Sequence, residues 1–211
     1  MPDAGALALF SAAAIALLLV PGPAVLFVVA QSVHGGRRAG FVSVLGLHAG
    51  TLVHIAAAAV GLSSLLVSSA TAFEIVKYAG AAYLIALGVR RLVDRRDRTT
   101  VVAPRSAPRR RLFVNGIVVN VLNPKTALFF LAFLPQFVDV SAGSAALQMI
   151  VFGLIFLAFG LVTDSLYALV AGTAGGWLRT KPRSAAVERY ASGSVFLGLG
   201  LATALSGSRK S

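Results

Sequence analysis

The stretch NGIVVNVLNPKTALFFLAFLPQF, Asn115–Phe137, decides the fold. It is apolar enough to lie in a bilayer, yet Asn120, Asn123, Pro124 and Lys125 fall near its middle. Pro124 has no backbone N–H and its ring clashes with the preceding turn, so backbone carbonyls are freed inside the hydrocarbon. Irregular backbone at that depth persists only where it is buried in protein or lines a wet cavity. Lys125 adds a charge that costs about 2.5–3.5 kcal/mol at a helix centre on insertion scales. Asn120 and Asn123, three residues apart, are expected on one helix face. The four residues together read as a purposeful break in a membrane helix.

A second break answers it early in the chain, where Pro21-Gly22-Pro23 interrupts the first apolar segment. One interrupted segment in each half of a chain is the best sequence pointer to a transporter binding site. The competing reading is a pair of proline kinks that only shape packing, since proline is commoner in membrane helices than in soluble ones.

Working outward, the 211 residues are 57% hydrophobic and 12% charged, against about 25% charged in a soluble domain. The apolar residues come in runs of roughly 20, long enough for a hydrocarbon core of about 30 Å. The chain therefore reads as one all-α integral membrane domain. Its net charge of +12 does not point to nucleic acid, because the basic residues sit between the apolar segments. The N-terminus carries Asp3 where a signal peptide would be basic, so it reads as a retained first span. Cysteine is absent, and His34, His48 and His54 are not spaced as a metal face. No phosphate loop, nucleophile triad or metalloprotease pattern is present. These absences argue against an enzyme, a cofactor or a bound metal.

Six spans are expected, at about 6–30, 40–67, 72–92, 112–137, 145–171 and 191–206. The loop after the first carries Arg37 and Arg38, that after the third holds nine arginines from Arg90 to Arg111, and that after the fifth carries Arg179, Lys181, Arg183 and Arg189. The other two loops are almost uncharged. By the positive-inside rule the basic loops are cytoplasmic and both termini lie outside, with Arg209 and Lys210 as a minor dissent. Spans 1 and 4 then enter from opposite sides. That is the plan of two inverted three-helix repeats, about 1–92 and 112–211, with helices 1 and 4 broken. The basic stretch 93–111 reads as a flexible linker that can lie on anionic lipid.

Asp164, in LVTDSLYALV, is the one acid deep inside a span, and an intramembrane carboxylate is a functional-site hypothesis by default. Lys125 is its expected partner, with Tyr167 one turn along as a neighbour; a structural Asp–Lys pair is the alternative. His48 is a further polar residue that can carry a proton. Glu74 and Lys77, three apart at the outer end of span 3, can pair with each other, or Lys77 can snorkel, and the pair reads as structural. The stripe Phe129, Phe133 and Phe137 reads as a packing seam. Gly46 and Gly50 permit close helix approach, as do Gly193, Gly198 and Gly200, whereas Gly36/Gly40 and Gly172/Gly176 lie near loops and carry less weight.

Pro21-Gly22-Pro23, GRRAGFVSVLGLHAG at Gly36–Gly50, KYAGAAYLIALG at Lys77–Gly88, NPKTALFFLAFLPQFV at Asn123–Val138 and SGSVFLGLGLATALSG at Ser192–Gly207 together resemble the LysE/RhtB family of amino-acid exporters. The resemblance runs through nearly the whole chain, in order. It implies a small bacterial inner-membrane protein that exports amino acids, driven by the proton gradient, and the span-4 motif is similar to the homoserine/threonine/leucine branch. Asp164 matches a position where members often carry an acid. The residue after Pro-Gly-Pro, often polar in the family, is Ala24 here.

The two lines of reasoning give one expectation. A zwitterionic amino acid binds between spans 1 and 4. Lys125 and free N–H groups after Pro21-Gly22-Pro23 take its carboxylate. Freed carbonyls at Pro124, with Asn120 and Asn123, take its ammonium, and Asp164 exchanges a proton. An ion or metabolite channel and a non-transporting membrane scaffold are the competing classes.

Overall fold

A computed structural model describes residues 2–62 and 108–173, together with isolated helical positions between Thr71 and Val93 and at Leu197 and Leu201. Among the described residues every regular element is a helical one. The linker 94–107, Lys77, the basic loop at 179–189, Gly176 and nearly all of the sixth span with its glycines lie outside the described residues. So do the terminal Arg209 and Lys210.

Helix α1, Ala4–Leu19, starts at Asp3, whose carboxylate accepts from the Ala6 N–H at 2.8 Å. An acidic N-cap satisfies one of the donors that a helix start leaves open. The helix stops at Val20, because Pro21 and Pro23 each lack a donor. Helix α2, Pro23–Ala57, restarts with Pro23 in its first turn, where the missing N–H costs nothing. Its 35 residues would reach roughly 50 Å if straight, well beyond the hydrocarbon core. Gly36 resolves this with φ 74° and ψ −179°, a conformation open essentially only to glycine. The two limbs, 23–35 and 37–57, fold together there, so that Gly40 lies directly against Ser32. The limbs correspond to the end of the expected first span and to the second, which continues through a π-helical turn, Ala58–Leu62. Gly36 and Gly40 thus carry more than sequence spacing suggested: one makes the corner and the other makes room at it.

Helix α3, Arg109–Val121, and helix α4, Pro124–Leu128, form the expected fourth span. Helix α4 runs on as a π turn, Phe129–Phe133, and a 3-10 turn, Leu134–Phe137, and the two parts meet at an angle of 46°. Helix α3 begins three residues before the expected Leu112, inside the stretch read as linker, because Pro108 starts it. Helix α5, Ala145–Thr173, is an uninterrupted span. Among the described residues two helices are long and apolar enough to cross a membrane, or three if the bent α3–α4 pair counts as one.

Two apolar clusters hold these helices together. One is aromatic: Phe10 packs on Phe152 at 4.7 Å between ring centroids, on Phe129 at 5.5 Å and on Phe137 at 5.4 Å. Phe129 and Phe133 are buried in it, so the aromatic stripe is a packing seam, as expected. The other cluster joins Phe27, Val28, Val44, Leu47 and Ala168 at the folded α2 and α5. Glycines set the closest approaches. Gly46 and Gly50 lie against the α3 backbone at Phe113 and Ile117, and Gly116 of α3 lies against Ser43 and Leu47 in return. This is the close helix contact that small residues allow in a membrane. Large apolar side chains such as Leu9, Leu122 and Val162 remain exposed on the outside, as a lipid-facing surface requires.

Replacing Gly36 by alanine forces a side chain into that conformation. The expected cost is about 1–3 kcal/mol, read as a lowered thermal midpoint of the detergent-solubilised protein, while Gly61→Ala, with open space around it, leaves the midpoint within about 0.5 kcal/mol of wild type.

Candidate functional site: a polar cavity between two helix breaks

Both breaks restart a helix with proline in its first turn, Pro23 after Gly22 and Pro124 after Asn123. They face each other across a cavity of about 30 Å³ lined by Gly22, Ala24, Asn120, Asn123, Lys125 and Asp164, among others. Members of both apolar clusters, Phe156 and Leu47, border it. The cavity is therefore a polar layer between two greasy ones. Space of this size holds a water or two, so an amino acid enters only if the breaks move apart.

The freed backbone groups find side chains. The Val20 carbonyl accepts from the Lys125 ammonium, and the Leu19 carbonyl accepts from the Tyr167 hydroxyl at 2.8 Å. At the second break the Asn120 carbonyl accepts from the Asn123 N–H and faces His54 Nε2, both at 3.0 Å. Such pairing is what hydrocarbon demands of any interrupted helix. Gly22 offers no side-chain cap, so the Ala24 and Val25 N–H groups at the start of α2 have no intrahelical acceptor. Gly22 also makes space for the Lys125 stem, since a Cβ there would lie 3.2 Å from Lys125 Cδ.

Asn120 and Asn123 do not share a helix as the spacing suggested, because the break falls between them. Asn123 instead caps α4, its side-chain oxygen accepting from the Lys125 N–H at 3.1 Å. Thr126 rejoins the pair, accepting from Asn123 Nδ2 and donating to the Asn120 side-chain oxygen, each at 3.0 Å. Asn120 Nδ2 donates to the Leu47 carbonyl at 2.7 Å and to Thr51 Oγ1 at 2.8 Å. Asn120 therefore ties the end of α3 to α2 with its whole side chain.

Asp164 departs from expectation more sharply. Its direct partner is His48, with Nε2 and Oδ2 3.1 Å apart, a hydrogen bond that becomes an ion pair when the ring is protonated. Lys125 lines the same cavity without forming an ion pair with Asp164, and Tyr167 points its hydroxyl at Leu19. The reason is helix placement. Gly160, one turn before Asp164, receives the His48 ring: a Cβ there would lie 2.5 Å from His48 Cε1. His48 Nδ1 faces Thr51 Oγ1 at 3.4 Å. A chain of polar contacts thus runs from Asp164 through His48, Thr51, Asn120 and Thr126 to Asn123 at the head of α4. Gly160, Thr51 and Thr126 were not singled out from the sequence. The only available signal was a glycine one turn before an intramembrane acid.

A family model for the LysE type translocator matches residues 15–207. The chain belongs to the LysE type translocator family. It is accordingly a membrane transporter and not an enzyme. Similar proteins include the homoserine/homoserine lactone efflux protein of Salmonella typhimurium, 35% identical over 87% of this chain and 88% of that protein. The homoserine/homoserine lactone efflux protein of Salmonella typhi is 34% identical over the same shares. An uncharacterized membrane protein of Pseudomonas aeruginosa is 32% identical over 89% of this chain and 90% of that one. No solved structure matches the translocator.

Replacing Asn120 by leucine leaves the Leu47 carbonyl and two hydroxyls of this translocator without their partner. The expected destabilisation is about 1–3 kcal/mol, measured by thermal unfolding in detergent. Gly160→Val is expected to push the His48 ring off Asp164 and lower transport at least about tenfold, with membrane insertion retained; transport assays on matched membrane amounts check it.

Proposed function

We propose that this translocator exports small neutral amino acids of the homoserine type across the bacterial inner membrane in exchange for protons. The observation that carries the reading is the buried cavity that brings two opposed helix breaks, an ammonium at Lys125 and a carboxylate at Asp164 into one polar layer. Discontinuous helices whose starts face a midplane cavity are a recurrent device for binding charged substrates. Two relatives of similar length bear the name homoserine/homoserine lactone efflux protein. Those two molecules share an α-ammonium, and homoserine adds a free carboxylate.

In this reading Lys125 and the open N–H groups of Ala24 and Val25 receive the carboxylate. The partial positive charge of a helix start favours an anion there. Pro21, Gly22 and Pro23 keep the first break open, and Asn123 and Pro124 hold the second, with Asn120 bracing it. Asp164 takes up the proton, with His48 as its direct neighbour and Tyr167 one turn on. The protein is a pair of inverted three-helix repeats with both termini outside and its basic loops against anionic lipid. The like construction of the two breaks supports the repeat. A cavity of about 30 Å³ suits an occluded carrier better than an open pore.

Cells loaded with dipeptides release free amino acids inside and test the reading directly. Cells carrying the protein are expected to export homoserine or a few neutral amino acids faster than cells without it. The excess vanishes when the proton gradient is collapsed or with Lys125→Ala. Unchanged release of every amino acid, with the protein verified in the membrane, defeats the proposal.

A further inference from the structure

One atom of the cavity stands apart. Asp164 Oδ1 is buried and has no hydrogen-bond partner among the described residues, and it is the one buried side-chain polar atom there in that position. Asp164 as a whole is 5% exposed. Its other oxygen is held by His48. The remaining polar groups around the cavity are in use: Asn120 and Thr126 on each other, Asn123 on the start of α4, and Lys125 on the Val20 carbonyl. The asparagines and freed carbonyls therefore offer a substrate ammonium little, contrary to the expectation from sequence. The acceptor left without a partner is the buried carboxylate oxygen Oδ1 of Asp164.

A buried carboxylate oxygen without a partner is costly, and two things satisfy it: a proton of its own or a cationic donor. An ammonium is the stronger donor, since hydrogen bonds between ions are about twice as strong as neutral ones. Both cannot occupy the same oxygen. We propose that Asp164 Oδ1 receives the α-ammonium of the substrate and that the same oxygen carries the exchanged proton, so that substrate and proton displace each other there. This rests on the transport reading above and assigns the coupling to competition for one atom. When an amino acid binds, the carboxylic acid loses its O–H proton to water and the carboxylate takes the ammonium. When the amino acid leaves, a proton returns. The substrate carboxylate meanwhile draws Lys125 from Val20, which parts the two breaks.

The titratable groups facing Asp164 are few. His48 comes from α2 and Lys125 from α4, while Tyr167, on the same helix as Asp164, directs its hydroxyl to the Leu19 carbonyl. At this level α1 and α3 contribute none among the described residues. His48 is the rival proton carrier, because it touches the other oxygen of the pair.

The test is proton release on binding, measured with a pH indicator on the purified full-length protein in weakly buffered detergent between pH 5 and 9. Homoserine is expected to release up to about one proton per molecule bound, with affinity falling as the pH falls wherever release occurs. The analogue with a hydroxyl in place of the amino group, 2,4-dihydroxybutyrate, releases none and binds at least about tenfold more weakly. This comparison uses the wild-type protein, so it stands even if a variant fails to fold. Asp164→Asn abolishes release and weakens homoserine, whereas His48→Gln retains release. The proposal is overturned if the analogue releases protons, if wild-type affinity is flat with pH, or if release survives Asp164→Asn and disappears in His48→Gln. Should the wild-type protein export amino acids without such release, competition at Asp164 fails alone. Should it neither bind nor export any amino acid, the transport reading itself fails, and this proposal with it.

Discussion

Every backbone carbonyl that a broken helix frees inside hydrocarbon must find a donor, and this requirement organises the molecule. The first break frees Leu19 and Val20, and the donors come from distant elements, Tyr167 on α5 and Lys125 on α4. The second break frees Asn120, which is met by its own chain at Asn123 and by His54 of α2. Each interruption is thereby fastened to a different helix. A break that would be a defect on its own becomes a joint between two parts of the bundle. Lys125 is central, since the charge that makes it expensive in a membrane is also what lets it cap a carbonyl.

Packing makes those joints possible. Side chains as short as Asn120 and Thr51 can meet only if α2 and α3 nearly touch, and the glycines at 46, 50 and 116 allow that approach. Gly160 does the same for the His48 ring beside Asp164. The aromatic cluster around Phe10 and the aliphatic cluster around Val28 border the polar layer through Phe156 and Leu47. Asp164 and Lys125 then line one small cavity without being spent on one another. Lys125 held by a carbonyl and Asp164 held by His48 form a different device from a simple Lys–Asp pair.

Much of the frame was legible in the residues. Apolar runs of roughly 20 residues match the length a helix needs to cross a membrane, and only helices and closed barrels satisfy their backbone in lipid. Pro21-Gly22-Pro23 and Asn123-Pro124 located both breaks, since proline removes a donor wherever it stands. Asp164 and Lys125 declared themselves because charges are rare at that depth. The corner at Gly36 was harder to see. A glycine is compatible with a helix, a kink or a reversal, and only the contact between Ser32 and Gly40 tells them apart.

What the sequence by itself determined is the kind of structure, the two breaks and the charged members of its polar layer, through hydrophobicity, proline chemistry and the cost of charge in lipid. What only the tertiary structure decided is who touches whom. The rotation of each helix about its axis, and the meeting of residues as far apart as His48 and Asp164, depend on how glycines and bulky side chains fit across interfaces. Hydropathy does not encode that fit. It made His48, not Lys125, the partner of Asp164, spent Asn120 on bracing a break, and left one buried carboxylate oxygen without a partner among the described residues.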